Sequence, residues 1–165
     1  MPQPPAVLHM LCGKIASGKS TLAAQLAAAP ATVLISEDDW LAALFGAQMQ
    51  SPADYLTCAE KLQGVMGPHV VSLLREGLSV VLDFPANTPA QRAWMRGIVE
   101  TAGVVHEMHV IEAPDALCLQ RLKARNAQGD HPFAATEEQF HRFTKHYRPP
   151  AADEGFLLVA HTAMP

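Results

Sequence analysis

Short apolar runs alternate with longer amphipathic stretches along the whole chain. Val7–Cys12, Thr32–Ser36, Leu78–Phe84, Val104–Glu112 and Phe156–Ala160 are apolar or β-branched-rich and short, which predicts five strands. Several lack polar alternation, as expected of strands covered on both faces. Between them lie helical patterns with recognisable ends. One runs from Ser20 to Ala29 and is stopped by Pro30. Asp39–Phe45 predicts a short helix closed by Gly46. Ser51 as N-cap and Pro52 in the first turn open a helix toward Arg75, with an interruption expected near Gly67-Pro68 and an end at Gly77. Thr88-Pro89 opens the next, ending at Gly103, and Pro114 starts another, which carries Arg121 and Arg125. Ala127–Ala135 reads as a polar loop. Thr136-Glu137-Glu138-Gln139 is a capping box, opening a helix to about Tyr147 that Pro149-Pro150 break.

Strict alternation of this kind predicts an α/β protein, a five-stranded parallel sheet flanked by helices on both faces. The 165 residues fit one domain spanning 1–165, with room for a full core. In such sheets ligands collect beyond the carboxyl ends of the strands.

Composition narrows the class. No apolar run reaches membrane-spanning length, and Met1–Pro5 lacks the basic and apolar regions of a secretory leader. Cys12, Cys58 and Cys118 are far apart and read as reduced core residues, so a cytoplasmic location is expected. A net charge of −4 disfavours a nucleic-acid surface. The eight histidines are scattered without ligand spacing, so no dedicated zinc site is expected.

The chemistry is concentrated in Gly13-Lys14-Ile15-Ala16-Ser17-Gly18-Lys19-Ser20, which satisfies the phosphate-binding loop pattern G-x-x-x-x-G-K-[ST]. Gly13 and Gly18 let the backbone curl, so that N–H groups from Gly13 through Ala16, Ser17, Gly18, Lys19, Ser20 and Thr21 face phosphate oxygens. Lys19 is placed for the β- and γ-phosphates, and the Ser20 hydroxyl for Mg²⁺. Lys14 reads as a solvent-facing filler. Glu37-Asp38-Asp39-Trp40 follows the second strand directly. Asp38 is the candidate general base, with helix capping as its structural alternative. Asp83 ends the third strand as a Walker-B-type acid does, and could bind Mg²⁺ or orient a substrate hydroxyl. Phe84 follows it, where motor ATPases usually carry the glutamate that activates water; transfer is favoured over hydrolysis. Arg121 and Arg125 share a helix face, suited to purine stacking and to phosphoryl charge. Arg92 and Arg96 also share a face and read as mainly structural, with Arg92 retained among the substrate candidates Glu37, Asp38, Asp39, Trp40 and Asp83.

These motifs, with Val81-Leu82-Asp83-Phe84 and Arg121–Asn126, resemble the small P-loop kinases grouped with zeta toxins, polynucleotide kinase and chloramphenicol phosphotransferase. The resemblance covers nearly the whole chain. It implies an adenylate-kinase-like sheet, an ATP·Mg²⁺ donor, Asp38 as base and a short arginine-bearing lid at about 126–136. It also implies that Arg121 stacks on adenine and that Arg125 touches the phosphates as a catalytic group. One departure stands out. Polynucleotide kinases carry an arginine three residues after the base, where this chain has Leu41.

The expected activity is phosphoryl transfer from ATP to a hydroxyl of a small molecule. Acids near Asp38, on the next helix (Asp54, Glu60), on the lid side (Asp130, Glu137, Glu138) and before the last strand (Asp153, Glu154) suggest a cationic amino sugar of the aminoglycoside kind, hence antibiotic resistance. The competing readings are a 5′-hydroxyl kinase for nucleic acid or nucleotides, a regulatory NTP-hydrolysing ATPase and a non-catalytic remnant. No N-K-x-D-like motif is present, which favours ATP over GTP.

Overall fold

The computed structural model describes residues 2–129 and 134–163. Five strands, β1 (Val7–Cys12), β2 (Thr32–Ser36), β3 (Ser79–Asp83), β4 (Val105–Glu112) and β5 (Leu158–Thr162), form one sheet in the order β2-β3-β1-β4-β5. Every pairing is parallel. The helices are α1 (Lys19–Ala27), α2 (Glu37–Phe45), α3 (Pro52–Arg75), α4 (Pro89–Ala102), α5 (Asp115–Gln128) and α6 (Glu137–Lys145). The predicted α/β parallel-sheet architecture is the one found.

The sheet buries both faces because its central strands are apolar on both. Leu8 and Met10 of β1, with Val80 and Leu82 of β3, pack against Leu62, Met66, Val70 and Leu74 of α3 and Met95 and Ile98 of α4. On the opposite face Leu11 and Val81 meet Ala23, Leu22 and Leu26 of α1. A separate cluster joins Cys118 and Leu122 of α5 to Phe140 of α6. All three cysteines are buried and unpaired. Among the described residues no helix is long and apolar enough to cross a membrane.

Four departures from expectation have an identifiable cause, beyond shifts of one or two residues at other element ends. The helix α2 begins at Glu37 rather than Asp39, because the Ser36 hydroxyl accepts from the Asp39 amide at 3.3 Å and caps it. No interruption occurs at Gly67-Pro68; α3 is continuous. A proline there lacks one backbone donor, and burial of Met66, Gly67, Val70 and Val71 against the core outweighs that loss. The last strand starts two residues later, because Phe156 instead packs edge-on to His106 and under Arg96. Finally, α5 continues to Gln128, into the expected polar loop. Asn126 Nδ2 donates to the Ala135 carbonyl at 2.6 Å, which closes the base of the expected lid. Residues 130–133 of that lid, Asp130 included, lie outside the described residues.

Strands added on one side of β1 (β2, β3) give way to strands on the other (β4, β5). This makes β1 the switch point of the sheet, and the loop after it the natural ligand position.

Candidate active site

The loop Gly13–Ser20 leaves the carboxyl end of β1 and runs into α1. Two left-handed positions shape it, Ala16 (φ 60°) and Gly18 (φ 110°). A side chain at Gly13 would not fit: its Cβ would lie 2.5 Å from the Ser17 hydroxyl. The Ser17 amide donates to the Lys14 carbonyl at 3.1 Å, while the buried Ser17 Oγ has no partner among the described residues. Gly18 caps α1 without a side-chain acceptor, and the first turn, Lys19-Ser20-Thr21-Leu22, carries no carboxylate. Its amide donors therefore remain available to an anion.

Lys19 lies folded across the loop. Its ammonium donates to the carbonyls of Gly13 at 2.6 Å and Lys14 at 2.9 Å. Burial lowers its pKa, opposed by the charges of Asp83 and Asp38. Ser20 Oγ donates to Asp83 Oδ2 at 3.1 Å. Burial raises the Asp83 pKa; the Ser20 bond and Lys19 oppose this, and Asp38 and Asp39 add to it.

Asp38 sits in the first turn of α2. Ser36 does the capping there, so Asp38 is not needed for that role. Its charge is felt at Lys19, Glu37, Tyr55, Asp83 and Arg125. Thus groups contributed by α1, α2, α3, β3 and α5 share one electrostatic neighbourhood at the carboxyl edge of the sheet. Glu37 turns inward, is 2% exposed and accepts from the Tyr55 hydroxyl at 2.5 Å. Burial raises its pKa to about 7; the Tyr55 bond opposes that rise, and Asp38 and Asp83 reinforce it. Asp39 and Trp40 are exposed, and Leu41 lies in the core rather than beside the acceptor position.

From α5, Arg121 Nη1 donates to the Ser17 carbonyl at 3.2 Å, which puts its guanidinium on the rim of the phosphate loop. Arg125, one turn further along α5, feels the charge of Asp38. Its buried Nε has no partner among the described residues, and burial lowers its pKa against the pull of Asp38.

Two expectations are corrected. Arg92 does not reach a substrate position. It is 1% exposed, its Nε and Nη2 bind the Glu154 carboxylate, and its Nη1 donates to the carbonyls of Ala86 and Arg148. Lys14 is not a solvent-facing filler: its ammonium lies 2.6 Å from Asp115 and 3.3 Å from the Ala113 carbonyl, tying the loop to α5.

Three contributors carry no motif in the sequence. Tyr55 holds Glu37. Asn87 Oδ1 accepts from the Gly13 amide at 3.0 Å and fixes the start of the loop. Tyr147 approaches Cys12 beside it. The run Asn87-Thr88-Pro89 signals a turn, and only the fold brings that turn to Gly13.

The residues fit a nucleoside triphosphate with a divalent cation. The unpartnered Ser17 hydroxyl, the close approach of Gly13 to Ser17 and the open N-terminus of α1 would suit a phosphate group. The Ser20–Asp83 pair offers the hard oxygen ligands Mg²⁺ prefers.

The AAA_33 family model, described as an AAA domain, matches residues 8–150. No curated protein sequence matches. Among solved structures, a putative kinase from Chloroflexus aurantiacus J-10-fl is similar with a TM-score of 0.74 and 19% identity, covering 98% of this chain and 87% of its own. A gluconokinase from Sinorhizobium meliloti 1021 gives 0.60 and 14%, covering 100% and 86%. The Mycobacterium tuberculosis APS kinase CysC, in complex with AMPPNP and APS, gives 0.56 and 20%, covering 96% and 90%. At these identities the likeness is one of fold, and the fold is that of P-loop kinases.

Proposed function

The chain belongs to the AAA_33 family of AAA domains, and from that premise we propose that it is an ATP- and Mg²⁺-dependent phosphotransferase acting on a hydroxyl of a small molecule. The observation that carries the reading is the field of Asp38, which reaches Lys19, Asp83 and Arg125 together. A nucleotide-binding remnant does not need a carboxylate so placed. Kinases among the similar folds support the same class.

Bound ATP·Mg²⁺ would supply the electrophilic γ-phosphoryl group. Lys19 would exchange its two loop carbonyls for phosphate oxygens. Ser20 and Asp83 would hold the cation, and their mutual hydrogen bond orients the carboxylate toward the loop. Asp38 accepts the proton of the attacking hydroxyl. Arg125 places a partly desolvated cation where equatorial charge develops. Arg121, on the loop rim, is placed for the nucleotide rather than for the acceptor.

The narrower acceptor, a cationic amino sugar, rests on Asp38, Asp39 and Asp83. Other acids once counted toward it have partners: Glu137 with Lys123 and His141, Glu138 with Arg142, Glu154 with Arg92. Burial pushes the Glu37 carboxyl up to about 7, which weakens its contribution as an anion. The exposed Trp40 and Leu44 add an apolar surface nearby, which suits a sugar ring as well as an amine. The test is turnover with aminoglycosides, neutral sugars, chloramphenicol and a 5′-hydroxyl oligonucleotide, on wild type and Asp38→Asn. Asp38→Asn should keep ATP affinity by calorimetry and lose about 10²–10⁴-fold in turnover. Intact turnover would eliminate Asp38 as base. Preference for the oligonucleotide would replace the small-molecule reading by nucleic-acid repair.

A further inference from the structure

On the α1-facing side of the sheet, well before the phosphate loop, three histidines scattered in sequence come together. Parallel register sets His9 of β1 opposite Glu107 of β4, and His109 two residues further along the same face. His161 of β5 adjoins His109 from the other side. His9 Nδ1 lies 3.1 Å from His109 Nε2 and 3.3 Å from Glu107 Oε2, and His109 Nε2 lies 3.2 Å from the same oxygen.

These three atoms form a nearly equilateral triangle. A zinc ion about 2.0–2.1 Å from each donor of a tetrahedral site needs donor–donor edges of about 3.3 Å. The observed triangle is therefore already one face of such a tetrahedron. The tautomer of His109 decides how these atoms are satisfied without a metal. If His109 Nδ1 donates to His161 Nε2 at 2.8 Å, then His109 Nε2 and Glu107 Oε2 both present lone pairs, and only the single Nδ1 proton of His9 stands between them. That same His161 contact is the outer hydrogen bond that fixes the tautomer of a metal-binding imidazole. His109 is buried, the His9 side chain is 16% exposed and that of Glu107 34%, so one side stays open for entry and for a fourth, solvent ligand.

We propose that His9, Glu107 and His109 form a site for a divalent transition metal, Zn²⁺ in the first instance, with His161 as the positioning residue for His109. Two imidazoles and one carboxylate suit zinc over Mg²⁺ or Ca²⁺, which prefer all-oxygen sets. The site is separate from the phosphate-loop chemistry and is independent of the kinase reading. It would bridge β1 to β4, and β1 is the strand that delivers Gly13 to the active site.

Equilibrium dialysis of the metal-free full chain against Zn²⁺, in millimolar Mg²⁺, should show one tightly held zinc per chain. Co²⁺ should give the strong visible absorption of four-coordinate cobalt. His9→Gln and Glu107→Gln should each weaken binding at least about 10-fold, and His161→Gln about 10-fold through loss of the outer contact. ATP binding should be unchanged in all three. Zinc should also raise the melting temperature of wild type but not of Glu107→Gln, a near-isosteric change at a partly exposed position that keeps the test independent of folding. No zinc bound by wild type, or wild-type affinity retained in Glu107→Gln and His9→Gln, would overturn the proposal and leave a hydrogen-bonded histidine network or binding at the cysteines.

Discussion

Two arginines, Arg92 wholly buried and Arg125 buried at its Nε, lie in the same molecule under opposite conditions. Around Arg92 the protein supplies acceptors for the whole guanidinium: both Glu154 oxygens and the carbonyls of Ala86 and Arg148. Arg125 keeps a buried Nε without a partner among the described residues, and the nearby Ser17 hydroxyl is in the same position. Lys19 is intermediate, resting on two loop carbonyls. A buried donor left unpaired costs about 1–3 kcal/mol. Such cost is tolerated where a ligand will supply the missing acceptors, and removed where the role is to hold the fold. Satisfied burial therefore marks Arg92 as a structural clamp between α4 and the segment before β5. Unsatisfied burial at Ser17 Oγ and Arg125 Nε is what the proposed phosphate-binding role requires.

Substitutions on the two sides of this contrast should separate cleanly. Lys19→Ala should lower phosphoryl transfer by about 10³-fold or more, because it removes a desolvated cation at the site of developing charge. Circular dichroism should show the fold retained. Wild-type-like transfer would remove the phosphate-loop assignment altogether.

Arg92→Ala should do the reverse. It strands Glu154 and two carbonyls, and should cost about 3–5 kcal/mol of unfolding free energy. Urea titration reads this directly, while turnover of the folded fraction at low temperature should stay near wild type. A selective loss of acceptor affinity would return Arg92 to the substrate site.

Glu37 probes the same boundary through pH. Its folded pKa, about 7, lies above its ordinary value of 4.5. The folded state then binds the proton more tightly than the unfolded one. Stability falls as pH rises from about 4.5 to about 7, by up to about 3 kcal/mol from this group, and is flat above. Urea midpoints at pH 5 and pH 8 should differ in that sense, and Glu37→Gln should shrink the difference. An unchanged pH dependence in that variant would place Glu37 outside the coupled group.

The smallest expected effect is that of Arg125→Ala. Removing one donor should lower kcat by about 10²-fold, with a lesser change in KM for ATP. A change in KM alone would make Arg125 a binding residue.

Much of the architecture is legible along the chain because its causes are local. The ends of β2 and β3, the Ser51 and Thr88 caps and the Thr136 capping box depend on neighbours within a few residues. So does the phosphate loop, whose glycines, lysine and serine act at fixed short spacing. The start of α2 shifted through the local Ser36 cap, but two other readings were settled by distant contacts. Gly67-Pro68 reads as a break but is carried inside α3 by the core. Phe156 reads as strand but is drawn to Arg96 and His106.

By itself, then, the sequence determined five strands alternating with helices, the glycine-bearing loop after β1 and the acids at the ends of β2 and β3. Strand order and register decided the rest. Asn87 meets Gly13 across 74 residues, Arg92 meets Glu154 across 62, and His9 meets His109 across 100. Side-chain periodicity along a strand records which face a residue occupies. It does not record which strand lies alongside, and that neighbour decides whether a buried polar group is paired, left open for a ligand or gathered into a site for a metal.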